Sequence, residues 1–250
     1  MTGYRTKQER VAIADADDLV ICSLLDRQQF SDPLGEADRL GISSAQWPLF
    51  GLLWPSGAQL AARMARRPVR SGERILEIGC GLALASLVSH RLGADVTASD
   101  CHPLAERFLK DNLLLNGLAP MPYRHGHWGA PPRAPVPAGA AAASVVEGHF
   151  DLIIGSDLLY ERDADACLAG FIASHASAEA QVWIVDPDRG NRPAFNRQMA
   201  AQGFQMHEEK LKTVATVGAA AYKGRLLIYR RGNSPAPSQD RDMGTPAVVN

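Results

Sequence analysis

The chain predicts an α/β fold: a mostly parallel seven-stranded sheet, helices on both faces, and an antiparallel hairpin at one edge. Three observations predict it. Short apolar runs alternate with helix-length amphipathic stretches, glycines fall where runs give way to helices, and the last two runs are joined without a helix between them.

Residues 74–78 (RILEI) form an apolar run that ends at a glycine cluster, the pattern of a buried strand. Residues 82–92 follow as a helix closed by Gly93 in the C-cap position. A second strand spans 95–99 (DVTAS). The helix over 103–116 has proline in its first turn, apolar Leu104, Phe108 and Leu115, and Gly117 beyond its end. A weaker third strand is expected over 123–128. Strong strands follow over 150–155 (FDLIIG) and 181–186 (QVWIVD), then a helix over 193–202 and closing strands over 205–211 and 225–230.

Length and composition fit one such domain. The 250 residues are 46% hydrophobic and 21% charged, enough apolar content for a buried core. A formal net charge of -1 gives no long-range attraction to nucleic acid or to an anionic membrane. Arg63, Arg66, Arg67 and Arg70 are read as complementing a helix C-terminus. Cys22, Cys80, Cys101 and Cys167 show no metal-ligand spacing, nor do the histidines, so no metal site is expected. Residues 1–10 are polar, and no apolar run is long enough to span a bilayer; a soluble, cytoplasmic protein is expected.

Residues 1–49 are expected to be an extension packing on or near the substrate side, with Leu24, Leu25 and Phe30 as anchors. The main domain is expected over 50–231. It is interrupted by a Pro/Ala-rich insert at 130–143 and followed by a tail at 232–250 whose composition predicts disorder.

The chemistry concentrates where the first strand meets the first helix, at Glu77-Ile78-Gly79-Cys80-Gly81-Leu82-Ala83. Glycines there permit a tight turn and a close ligand approach at the carboxyl ends of the strands. Asp100, closing the second strand about 20 residues further on, suits two ribose hydroxyls. A dinucleotide fingerprint wants a small residue at position 84, but Leu84 stands there. Glu77, just ahead of the glycines, favours a cationic ligand over an anionic one, the alternative being that it caps or pairs with a neighbour. S-adenosylmethionine (SAM), with its ammonium and no phosphate, fits these residues better than NAD. Cys80 lies inside the loop, and Cys101 and His102 follow Asp100 closely enough to line the same pocket.

The run E-I-G-C-G-L-A followed by A-S-D resembles the first two motifs of class I, Rossmann-like SAM-dependent methyltransferases. Leu53-Trp54-Pro55-Ser56-Gly57, His127-Trp128-Gly129 and Ser156-Asp157-Leu158-Leu159-Tyr160 narrow the resemblance to the seven-strand group with a D-x-x-Y motif. That group includes many protein lysine methyltransferases. The resemblance implies that Glu77, Gly79 and Gly81 hold the methionine end of SAM, with Asp100 on the ribose and Trp128 beside the adenine. It puts Trp54 near the pocket mouth and Ser156 against the methionine moiety, and turns Asp157 and Tyr160 toward the nucleophile. Gly126 and His127 depart from the group, which more often has a bulky apolar residue and an acid there. The function implied is methyl transfer to nitrogen, of a protein lysine first and of a small molecule second. A non-catalytic SAM-binding protein is the alternative. No N-P-P-Y tetrad follows the fourth strand, so a nucleic-acid substrate is not expected. Asp186-Pro187-Asp188-Arg189-Gly190 is read as an Asp-Pro turn rather than part of the substrate entrance.

Overall fold

The computed structural model describes residues 3–129, 144–215 and 221–231. The expected insert at 130–143 and the expected tail at 232–250 lie outside the described residues. The chain opens with β1 (Thr6–Val11) and β2 (Leu19–Leu24), an antiparallel pair forming a sheet of their own. A short helix α1 (Glu36–Arg39) and a 3-10 turn over Trp47–Gly51 lead to α2 (Pro55–Ala65). Then come β3 (Arg74–Ile78), α3 (Leu84–Arg91), β4 (Asp95–Asp100), α4 (Ala105–Leu115) and β5 (Tyr123–His125). The remainder is β6 (Phe150–Ser156), α5 (Cys167–His175), β7 (Ala176–Asp186), α6 (Arg192–Ala201), β8 (Phe204–Thr213) and β9 (Tyr222–Arg231).

The seven-stranded sheet has the order β5-β4-β3-β6-β7-β9-β8. Strands β5 to β7 run parallel, while β9 is antiparallel to both β7 and β8, which is the predicted edge hairpin. Alternation along each strand feeds two cores. Ile75, Leu152, Ile154, Trp183, Val185, Leu226 and Ile228 join α2, α3 and α4 on one face. On the other, Leu76, Ile78, Ile153, Val182, Ile184, Leu227 and Tyr229 join α5 and α6. Apolar residues on both faces of a strand are what a helix-covered parallel sheet requires.

Chain order reverses between β3 and β6, which opens a crevice at the carboxyl ends of these strands. The strand expected over 123–128 pairs only to His125. Beyond it the Gly126 N–H turns to the Asp100 carbonyl, and His127 and Trp128 pass into the crevice. Of the four arginines, Arg63 lies in the last turn of α2 and Arg66 at its C-cap, where they complement the helix end as expected, and all four also form ion pairs. Arg63 pairs with Glu209 at 3.0 Å, Arg66 with Asp15, and nearly buried Arg67 with Glu73.

The first 49 residues attach to the main sheet through α4. Asn112 and Asn116, one helical turn apart, face the free edge of β2 and satisfy it as a neighbouring strand would. Cys22 N–H donates to Asn112 Oδ1 at 2.7 Å, and Val20 N–H to Asn116 Oδ1 at 2.9 Å. Asn116 Nδ2 returns a bond to the Val20 carbonyl at 2.8 Å. Substituting Asn116→Ala strands two backbone groups of β2, an expected loss of about 1–3 kcal/mol. Denaturant unfolding measures that loss, and hydrogen exchange is expected to quicken at Val20 before the amides of β3.

Candidate active site

The crevice is a cavity of 1280 Å³, larger than the roughly 300–1,000 Å³ of a typical ligand pocket. Trp54, Glu77, Gly79, Cys80, Gly81, Asp100, Cys101, His102, Trp128, Ser156, Asp157 and Tyr160 all line it, so every site residue expected from the sequence comes together here. What several of them do there differs from the expectation.

Gly79 (φ 57°) and Gly81 (φ 52°) adopt left-handed backbone, where a side chain is strained. Protein atoms already close the space. A Cβ on Gly79 would stand 2.5 Å from Leu158 and 3.2 Å from Trp128, and one on Gly81 2.8 Å from the Phe50 carbonyl oxygen. These glycines are therefore needed for packing within the protein, in addition to any ligand approach.

Asp100 is buried, and both its oxygens are engaged. Oδ2 accepts the Gly81 N–H and Oδ1 the His102 N–H, each at 2.8 Å. The acid assigned to the ribose thus also braces the glycine loop. An ionised carboxyl offers about four lone-pair sites, so capacity for hydroxyl donors remains. Burial pushes its pKa up, and these N–H donors act against the shift. His102 is not exposed to the pocket as a charge. It stacks on Phe50 at 3.7 Å, and burial drives its pKa down to about 3, so it is a neutral wall.

Glu77 points to the α3 side of β3, where Oε2 accepts the Ser86 N–H at 2.8 Å and also bonds the Ser86 hydroxyl. Burial raises its pKa to about 7 despite those bonds. The reading of Glu77 as a ligand for the methionine end is thus qualified: one of its oxygens serves the helix. Trp128 leans on Phe171, centroids 5.7 Å apart, and Trp54 anchors its indole N–H on the Leu49 carbonyl at 2.9 Å with Arg27 over its ring. Burial also raises the pKa of Tyr160, whose side chain remains partly exposed at the crevice.

Asp157 lines the crevice, and its carboxylate is ion-paired there. Its backbone is left-handed (φ 59°) and its side chain pairs with Arg189, whose Nε donates at 2.7 Å. Asp186-Pro187-Asp188-Arg189-Gly190 is the expected turn, closed by the Arg189 N–H on Asp186 Oδ1 at 2.7 Å, but its arginine also reaches into the site. The apolar run before it marks a strand end at the crevice, which is the signal that singles out this loop. Gln46 bonds Glu161 across the crevice, so the segment after β2 borders the site together with Arg27, Leu40 and Ile42. Among the described residues no group of three or more His, Cys, Asp or Glu is placed to hold a metal ion, and no helix is long and apolar enough to cross a membrane.

The paired acids, the aromatic walls and the remaining carboxylate lone pairs fit a cationic, partly flat ligand such as SAM. Glu77 also sets a pH dependence. Its folded pKa lies above the unfolded 4.5, so the folded state binds more protons between about pH 4.5 and about pH 7. Unliganded stability is expected to decline as pH rises through that window and then level off. Glu77→Gln removes this component of the decline in thermal melts taken across the window.

Comparison with known proteins agrees with this geometry. Residues 50–199 match the family model described as lysine methyltransferase. The chain is 36% identical over 145 residues to the electron transfer flavoprotein beta subunit lysine methyltransferase of Danio rerio, a match covering 57% of this chain and 51% of that protein. It is 28% identical over 178 residues to protein N-lysine methyltransferase METTL21A of Danio rerio, covering 70% and 78%. The chain spans only 51% to 59% of the length of the flavoprotein-subunit methyltransferases it matches. A solved structure described as "Conversion of a Disulfide Bond into a Thioacetal Group during Echinomycin Biosynthesis" aligns at TM-score 0.50 and 18% identity, over 74% of this chain and 84% of that one, a likeness of fold. Through its matched residues, which run from the 3-10 turn to α6, this chain belongs to the lysine methyltransferase family.

Proposed function

We propose that this chain is a SAM-dependent N-methyltransferase whose acceptor is the side chain of a protein lysine. The observation that carries the reading is the convergence, in one crevice at the reversal of chain order, of the Glu77-to-Gly81 loop, Asp100 and Trp128 with Asp157 and Tyr160. The relatives, named as lysine methyltransferases of proteins, support a protein acceptor over a small molecule.

When bound, SAM supplies a methyl group already activated on a positively charged sulfur. The chain's own work is then alignment and exclusion of water. Glu77 and Asp100 supply acceptors at the cofactor end, whose ionised forms a cationic ligand favours, and Trp128, backed by Phe171, provides a flat apolar wall. Asp157 accepts a hydrogen bond from the acceptor amine and sets its direction. Tyr160 offers its ring face to the same side chain. A lysine is protonated in neutral water and must lose a proton before attack, which partial desolvation in the crevice favours. We further propose a cytoplasmic setting, to be checked by imaging a tagged chain in its source cell.

Calorimetric titration tests the cofactor. SAM and S-adenosylhomocysteine are expected to bind and NAD not to, with Asp100→Ala losing both. Tritiated SAM and source-cell lysate then test the reaction, scored as methyl-lysine after hydrolysis. Asp157→Ala is expected to lower kcat by about 100-fold, and Tyr160→Phe less. Well-folded protein that binds neither SAM species overturns the reading, and full transfer by both variants removes these residues from it.

A further inference from the structure

Asp157 follows β6, its side chain only 9% exposed. Its partner Arg189 arrives from the loop between β7 and α6. The Nε donates to Oδ1 at 2.7 Å and the adjacent guanidinium nitrogen donates to the same oxygen. The contact is not a two-oxygen fork: both bonds converge on Oδ1, and Oδ2 takes neither. The surroundings hold this arrangement. Asp157 N–H donates to the Val185 carbonyl at 2.9 Å, Asp186 fixes the Arg189 backbone, and the Asn191 side-chain amide ties the loop to the Leu159 carbonyl at 2.9 Å.

The other ionisable groups acting around the pair come from four places. Asp186 ends β7, Tyr222 begins β9, Tyr160 and Glu161 follow β6, and Asp100 and Cys101 act on Tyr160 from the end of β4. All of these are acidic types, while Arg27, Arg162 and Arg197 line the same crevice. Arg189 is the positive charge in direct contact with Asp157.

We propose that Arg189 is a positioning residue that neutralises Asp157 through one oxygen and leaves the other to orient the acceptor amine, so that Asp157 steers a lysine without holding it as an ammonium ion. An uncompensated carboxylate beside a lysine favours the charged form, whose lone pair is occupied by a proton and cannot attack. Pairing with a guanidinium cancels most of that charge yet leaves lone pairs for a hydrogen bond. The ammonium gives its proton to water. The freed lone pair then forms the nitrogen–carbon bond to the methyl group as the carbon–sulfur bond breaks, and that bond's electron pair stays on sulfur.

This inference rests on the lysine reading above, and the experiment separates the two. Wild type, Arg189→Met, Arg189→Gln and Arg189→Lys are compared with tritiated SAM and the same lysate protein, scoring methyl-lysine from about pH 6.5 to about pH 9.5. Thermal melts identify which uncharged variant is folded, Arg189→Gln standing in if Arg189→Met is not. The uncharged variants are expected to lose about tenfold in kcat at neutral pH, with the profile displaced about one unit to the alkaline side, so that the rate recovers at high pH. KM for the acceptor is expected to hold or fall, and Arg189→Lys to return the profile toward wild type. An active uncharged variant with an unshifted profile, or a loss equal at every pH, overturns the proposal alone. Absence of methyl-lysine with wild type overturns the lysine reading and this proposal with it.

Discussion

The crevice depends on the carboxylate of Asp100. One of its oxygens holds the Gly81 N–H and the other the His102 N–H, so the loop after β3 and the loop after β4 share a single anchor. The Cys80 N–H on the Ser99 carbonyl, at 2.9 Å, adds a second tie between the same two segments. Gly81 in turn lies against the Phe50 carbonyl, which brings the 3-10 turn and the N-terminal segment to the crevice wall. Loops at strand ends have few ladder bonds of their own. A buried charge with two backbone donors, each bond worth more than a neutral one, supplies the rigidity that the sheet does not.

Such anchoring has a cost, visible in the ionisation of the acids. Burial disfavours the charged form of Glu77, Asp100 and Asp186 alike. For Glu77 and Asp100 the opposing bonds come from backbone N–H groups, the Ser86 hydroxyl and the Cys101 thiol, while Asp186 also feels the Arg189 charge. Among the described residues no ion pair neutralises Glu77 or Asp100, so a cationic ligand at the cofactor end would favour their ionised forms. At the other end Asp157 does have a cationic partner. The two ends are electrostatically unlike, which suits a permanently cationic ligand on one side and an amine that has to become neutral on the other.

The fold was legible because its signals are local and periodic. Runs such as RILEI and QVWIVD alternate between two apolar faces, and glycines mark the helix ends, so element type follows from a short window. The first sheet was not legible. β1 and β2 pair with each other and lean on α4 through Asn112 and Asn116, residues that from sequence are simply two polar positions on a helix. The membership of the site was legible as well, since its residues follow strand ends in a parallel sheet. The partners of those residues were not. Ser86 beneath Glu77 lies 9 positions away with no spacing rule to link them, and the spacing that ties Asp100 to the glycine loop points to a ligand rather than to its bond with the Gly81 N–H.

Arg189 shows where that limit lies. An Asp-Pro turn explains Asp186 through Gly190 completely at the level of the backbone, and the Asp186 side chain closes it as such turns do. Because the turn follows β7, it stands beside the end of β6, and that adjacency comes from the parallel pairing of the two strands across the α5 crossover. Asp157 enters the same space with a left-handed backbone that aims its side chain away from an ordinary strand direction. Asp tolerates that conformation better than most residues, and the surrounding hydrogen bonds hold it there. An arginine that decorates a turn and an aspartate that follows a strand become one charge-balanced unit only after the α5 crossover has placed β6 beside β7. The chemistry of the pair is therefore a property of the topology, read from neither residue's own surroundings in the chain.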